Sequence, residues 1–91
     1  MSVPGGRRID VTVIVPPRAL LLDIAGPIEV LRRANIEQTD VRFDARYAGA
    51  SAAVASSIGL TLSGIEALPD ALADEAMIVV PGNADTIAFG A

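Results

Sequence analysis

Few of the 91 residues offer reactive chemistry. The stretch LLLDIAGPIEVLRRAN, Leu20 to Asn35, sets one carboxylate, Asp23, among apolar residues and follows it with Ala25-Gly26-Pro27. An acid in that setting can cap a helix or meet its positive end. It can equally hold or orient a proton for a neighbouring reactive group. Ser56-Ser57 supplies hydroxyls, but no Gly-x-Ser-x-Gly elbow surrounds either serine, so hairpin chemistry is the better reading. Pro81-Gly82-Asn83 follows the apolar run Met77 to Val80, at the place where open α/β sheets collect ligands. A binding site and a plain turn stand as equal readings there. Cys and His are both absent, which removes a thiol nucleophile, an imidazole base, a disulfide and the usual zinc ligand sets. No cofactor or metal is implied.

The composition limits what can position these groups. A chain of this length forms at most one small domain, burying roughly 60 to 65% of the surface it exposes when unfolded. Apolar residues make up 52% of it and aromatics only 3%, so the interior is built from Ala, Val, Ile and Leu, as in buried α/β layers. The net charge is −4, and all seven basic residues are Arg spread along the chain. Nucleic-acid binding by this segment is therefore not expected, because phosphate contacts need a concentrated positive surface. Nothing reads as a signal peptide, and no run approaches the ~18 apolar residues of a membrane span. The expected location is cytoplasmic, with no membrane contact.

Met1 to Arg8 reads as a flexible leader punctuated by Pro4-Gly5-Gly6, with order starting near Ile9 and one domain over residues 9–91. Ile9 to Val15 is β-branched at almost every position and apolar on both faces, which suits a central parallel strand ended by Pro16-Pro17. Ile24, Ile28 and Leu31, widened by Val30 and Ala34, form a stripe at helical spacing, with the helix itself read over Ala25 to Ala34. Pro27 favours a start near Gly26, with one as early as Leu22 allowed, and Arg32-Arg33 fall in the last turn. Val41 to Tyr47 alternates as a half-exposed strand near a sheet edge. Ala53 to Ala55 and Leu60 to Leu62 flank Ser56-Ser57-Ile58-Gly59 as a hairpin, Ile65 to Ala73 reads as a short helix, and Met77 to Val80 as a second buried parallel strand.

LLLDIAGPIEVLRRAN, then ASSIGLTLSG, then IVVPGNAD, in this order and spacing, resemble the first half of the ThiJ/PfpI superfamily, which shares its fold with class I glutamine amidotransferases. Leu-Asp-x-Ala-Gly-Pro-x-Glu-Val and Ser-Ser-x-Gly-Leu are most similar to the N-terminal domain of GlxA-type regulators of the AraC family. The likeness covers about residues 9 to 85. It implies an α/β, flavodoxin-like, three-layer parallel sheet with a small hairpin, incomplete at the C-terminus.

Carried onto this chain, the resemblance makes Asp23 the acid that leans toward a catalytic thiol in enzymatic members, and Gly82 and Asn83 the turn whose N–H groups help form an oxyanion pocket. Asn83 departs from the family, which has a second Gly there. Asp23, Gly82 and Asn83 are thus the candidate ligand-binding residues, and none is assigned as catalytic. The family's cysteine lies beyond the Pro-Gly turn, and no cysteine occurs within these residues. The function so implied is the ligand-sensing and dimerisation part of an AraC-type regulator, with a small-molecule effector, homo-oligomerisation, and DNA contacts made by a C-terminal helix-turn-helix region. Alternatives are the N-terminal part of an isonitrile hydratase or amidase-like hydrolase, and a ligand-free α/β interaction module. The regulator is favoured by the phrasing Leu60-Thr61-Leu62-Ser63-Gly64 and Leu68-Pro69-Asp70. With only half a doubly wound sheet, the edge at Met77 to Val80 is expected to be open.

Overall fold

The computed structural model describes residues 6–72 and 74–84. It is a small α/β unit with a parallel three-stranded sheet and one helix among the described residues. β1 (Arg7–Ile14) lies in the middle, between β2 (Val41–Ala48) and the last strand (Ala76–Val79), which closes the far side. β1 begins two residues before Ile9, where order was expected to start, because the Arg7 N–H donates to the Asp40 carbonyl and starts the ladder there. Met1 to Gly5 lie outside the described residues. The β1–β2 register runs from Arg7 opposite Val41 to Ile14 opposite Ala48. On the other side, Asp10 faces Ala76 and Val13 faces Val79.

β-branched residues place β1 in the centre: Val11, Thr12 and Val13 are buried, as is Val15 just past its end. With Ala19, Ile24, Ala48 and Ile65 they make the core, which holds no fully buried aromatic ring among the described residues. Parallel strands need a crossover, and α1 (Leu21–Glu37) provides it between β1 and β2. The helix buries Ile24 and rests Ile28 and Leu31 against the core, while Val30 is exposed rather than widening the stripe.

α1 is longer than its apolar stripe at both ends. It starts at Leu21, five residues ahead of Gly26, so Pro27 sits inside it, where its missing N–H leaves the Asp23 carbonyl without a helical donor. Packing of Ile24 outweighs that loss. It continues to Glu37, so Arg32 and Arg33 are mid-helix, paired with Glu29 at 3.1 Å and Glu37 at 2.7 Å, and the last turn holds no base.

The hairpin forms as expected from β3 (Val54–Ala55) and β4 (Thr61–Leu62), with Gly59 at φ 83° closing the turn onto the Ser56 carbonyl. The helix expected over Ile65 to Ala73 does not form in the described residues of that segment. Glu66 instead lies beside the end of β2: its N–H donates to the Tyr47 carbonyl and its carbonyl accepts from the Gly49 N–H. Pro69 also disfavours helical geometry at Leu68. β5 (Ala76–Val79) is parallel as expected but not buried; it is an edge strand on which Met77 and Ile78 stay exposed. The described residues thus show α1 as their one helix, and the second helical layer of a three-layer sandwich is not seen among them.

Candidate functional site

Pro16-Pro17-Arg18-Ala19 sets the carboxyl end of β1. The Ala19 N–H donates to the Pro16 carbonyl, Pro17 takes the second position, and Arg18 has φ 57°, the left-handed value a type II turn demands at its third. Glycine or asparagine is usual there, and a longer side chain costs about 1 kcal/mol or more. Surrounding bonds hold Arg18 in place. Its N–H donates to the Ala55 carbonyl at 2.7 Å, its carbonyl accepts from the Ala84 N–H at 2.9 Å, and its Nε donates to the Ala84 carbonyl at 2.7 Å. Composition and periodicity did not mark this residue; the only signal was its place directly after Pro16-Pro17.

This turn draws the segment after β5 against the start of α1. Ala19 and Asn83 form an antiparallel bridge, and the Leu20 N–H donates to the Gly82 carbonyl at 2.9 Å. Asp23, in the first turn of α1, accepts from the Gly82 N–H through Oδ2 at 2.9 Å. Asp23 and Gly82 are therefore brought together across 59 residues at the carboxyl ends of the neighbouring strands β1 and β5. The approach is close: a Cβ at Gly82 would lie 3.1 Å from Leu20 Cδ1 and 3.2 Å from Asp23 Oδ2, so both side chains would have to give by a few tenths of an ångström to admit one.

The arrangement differs from the expected oxyanion pocket in two respects. The Gly82 N–H is already given to Asp23, so it is not free for a ligand. Neither Gly82 nor Asn83 has a positive φ, so the segment is a bridged extension of β5 rather than a left-handed turn, and Asn83 needs no special tolerance there. The backbone N–H of Asn83 has no backbone partner among the described residues.

Beside this cluster, a cleft of about 240 Å³ opens between α1, the end of β2 and the hairpin. Val15, Leu21, Ile24, Leu62 and Ile65 make it apolar, and Tyr47, Thr61 and Ser63 add hydroxyl-bearing residues without any charged side chain. Sequence reading missed this cleft because its walls come from segments that meet only in the fold. Ser56 is fully buried in the hairpin turn, with its Oγ unpartnered among the described residues. Its neighbour Ser57 uses its N–H on the Ala19 carbonyl, which docks the hairpin onto the turn. No group of three or more metal-ligating side chains occurs among the described residues, and none of their helices is long and apolar enough to cross a membrane. No known protein family, curated protein or solved structure matches the chain.

Proposed function

We propose that this chain is the N-terminal part of a flavodoxin-like, ligand-sensing and dimerisation domain of an AraC-type, GlxA-like transcription regulator, cytoplasmic and without catalytic activity of its own. The observation that supports the reading is the contact of Asp23 with the Gly82 N–H at the carboxyl ends of β1 and β5, where open α/β sheets gather ligands. The effector is an uncharged small molecule that uses the apolar cleft beside this contact, since the cleft is lined by hydroxyls and aliphatic groups and by no charge. Catalysis by these residues lacks its means: the sequence has neither Cys nor His, and the Asp23 carboxylate already accepts a backbone hydrogen bond.

Reading the encoding DNA past the codon for Ala91 tests the proposal. A downstream helix-turn-helix pair is expected. A stop codon soon after a cysteine on a strand-to-helix turn overturns it in favour of a ThiJ/PfpI-type hydratase or hydrolase.

A further inference from the structure

The outer edge of β2 shows how this chain satisfies peptide groups that no strand covers. Even-numbered residues from Asp40 to Ala48 turn theirs to β1, since the Arg7 N–H donates to the Asp40 carbonyl and the Val15 N–H to the Ala48 carbonyl. The odd-numbered ones therefore face outward. The Asn35 side-chain amide accepts from the Phe43 N–H at 2.9 Å and donates to the Phe43 carbonyl at 2.8 Å. Gln38 does the same for Val41, accepting at 2.9 Å and donating at 2.7 Å. Farther along, the Glu66 peptide takes the Tyr47 carbonyl and the Gly49 N–H. Between these caps, the N–H and carbonyl of Ala45 have no partner among the described residues. The caps come from α1, its C-cap and the segment after β4, so a further strand cannot pair along this edge, wherever the chain continues.

A groove of about 310 Å³ lies beside this gap, between α1 and β2. It exists because Ala45 is small and shares a face of the strand with the larger Phe43 and Tyr47, on the side that α1 covers. Ile28, Leu31, Phe43 and Tyr47 make its walls apolar. Its two charged residues, Glu29 and Arg32, are paired with each other at 3.1 Å, so the groove offers no uncompensated charge. Ala45 itself is exposed, which leaves the groove open at the edge.

We propose that this groove binds a small neutral molecule bearing a primary carboxamide, which pairs with the Ala45 N–H and carbonyl as the amides of Asn35 and Gln38 pair with Phe43 and Val41. A primary amide carries an acceptor and a donor side by side, and one residue of an extended strand offers the complementary pair. The apolar body of the ligand lies between Phe43 and Tyr47. A polypeptide strand does not fit, because it needs alternate peptide groups in a row, and the Phe43 pair and the Tyr47 carbonyl are taken. A carboxylate has no proton for the Ala45 carbonyl, and Arg32 is already engaged. The volume stands at the low end of the roughly 300 to 1,000 Å³ of ligand sites, so the body is a single ring or a short chain. This site is distinct from the cleft beside the hairpin, with which it shares Tyr47, and its failure leaves the regulator reading in place.

Benzamide titrated into the isotope-labelled chain, followed by the NMR signals of its backbone amides, provides the test. The Ala45 N–H signal should shift and saturate, with a Kd of about 1 to 10 mM for a ligand of this size. N,N-Dimethylbenzamide keeps the ring but has no N–H, and should give no saturable shift at Ala45. Ala45→Leu fills the groove from an exposed position and should abolish the benzamide response while the β1 amides keep their positions. The comparison of the two amides on the unaltered chain does not depend on how that variant folds. The proposal is overturned by the absence of a saturable shift at Ala45, by an equal response to the dimethyl amide, by binding retained in a folded Ala45→Leu, or by shifts confined to Leu62 and Ser63 of the cleft.

Discussion

Replacing Asp23 with Ala asks whether the carboxylate holds the segment after β5 against α1. The Gly82 N–H gives Asp23 Oδ2 a hydrogen bond of 2.9 Å at an exposed position. A hydrogen bond to a charged group contributes about 1.5 to 3 kcal/mol, which solvent screening reduces to about 1 kcal/mol here. Losing an acid from the first turn of α1 removes about 0.5 kcal/mol of dipole interaction, and the better helix propensity of Ala returns about 0.5 kcal/mol. The net loss is about 1 kcal/mol, or a Tm lower by roughly 4 to 8 °C for a domain of this size. Chain concentration must be equal in both melts, because association shifts apparent stability. Amide exchange adds the local readout: Gly82 should exchange about fivefold faster in the variant if local opening controls it. Asp23→Asn keeps an acceptor oxygen and should recover most of the protection. Unchanged stability together with unchanged Gly82 exchange in Asp23→Ala would refute the structural role of the contact.

Three other substitutions probe the supporting frame. Gly49→Ala places a Cβ 2.7 Å from the Val15 carbonyl oxygen and 3.3 Å from Ile65 Cγ2, and urea denaturation should show a loss of about 2 to 3 kcal/mol. Ser56→Ala removes a buried hydroxyl with no partner among the described residues, so the chain should melt at the same temperature or up to about 1 kcal/mol more stably. At Arg18, where φ is 57°, both truncations lose the Nε bond to Ala84, but Arg18→Gly should be about 1 kcal/mol more stable than Arg18→Ala. Equal melting of the two would remove the backbone strain from the account.

By itself the sequence determined the elements whose signals are local. β-branched runs make β1, alternation makes β2, an apolar stripe makes the middle of α1, and Gly59 makes the hairpin turn, because each depends on neighbours a few residues away. Asp23 and Gly82 could be singled out as a pair, through resemblance and through their places after two parallel strands. Only the tertiary structure decided the rest. Packing of Ile24 on the sheet carried α1 back across Pro27 to Leu21. The demand of β2 for partners along its outer edge spent the Glu66 peptide on Tyr47 and Gly49, so the Glu66 carbonyl was not free to accept within the helix expected over Ile65 to Ala73. The same demand turned Asn35 and Gln38 from helix-end residues into edge caps. Arg18 became part of the site because the segments at Ala55 and Ala84 converge on it. These outcomes share one cause: backbone donors and acceptors must be satisfied wherever the fold leaves them, and their partners lie far along the chain.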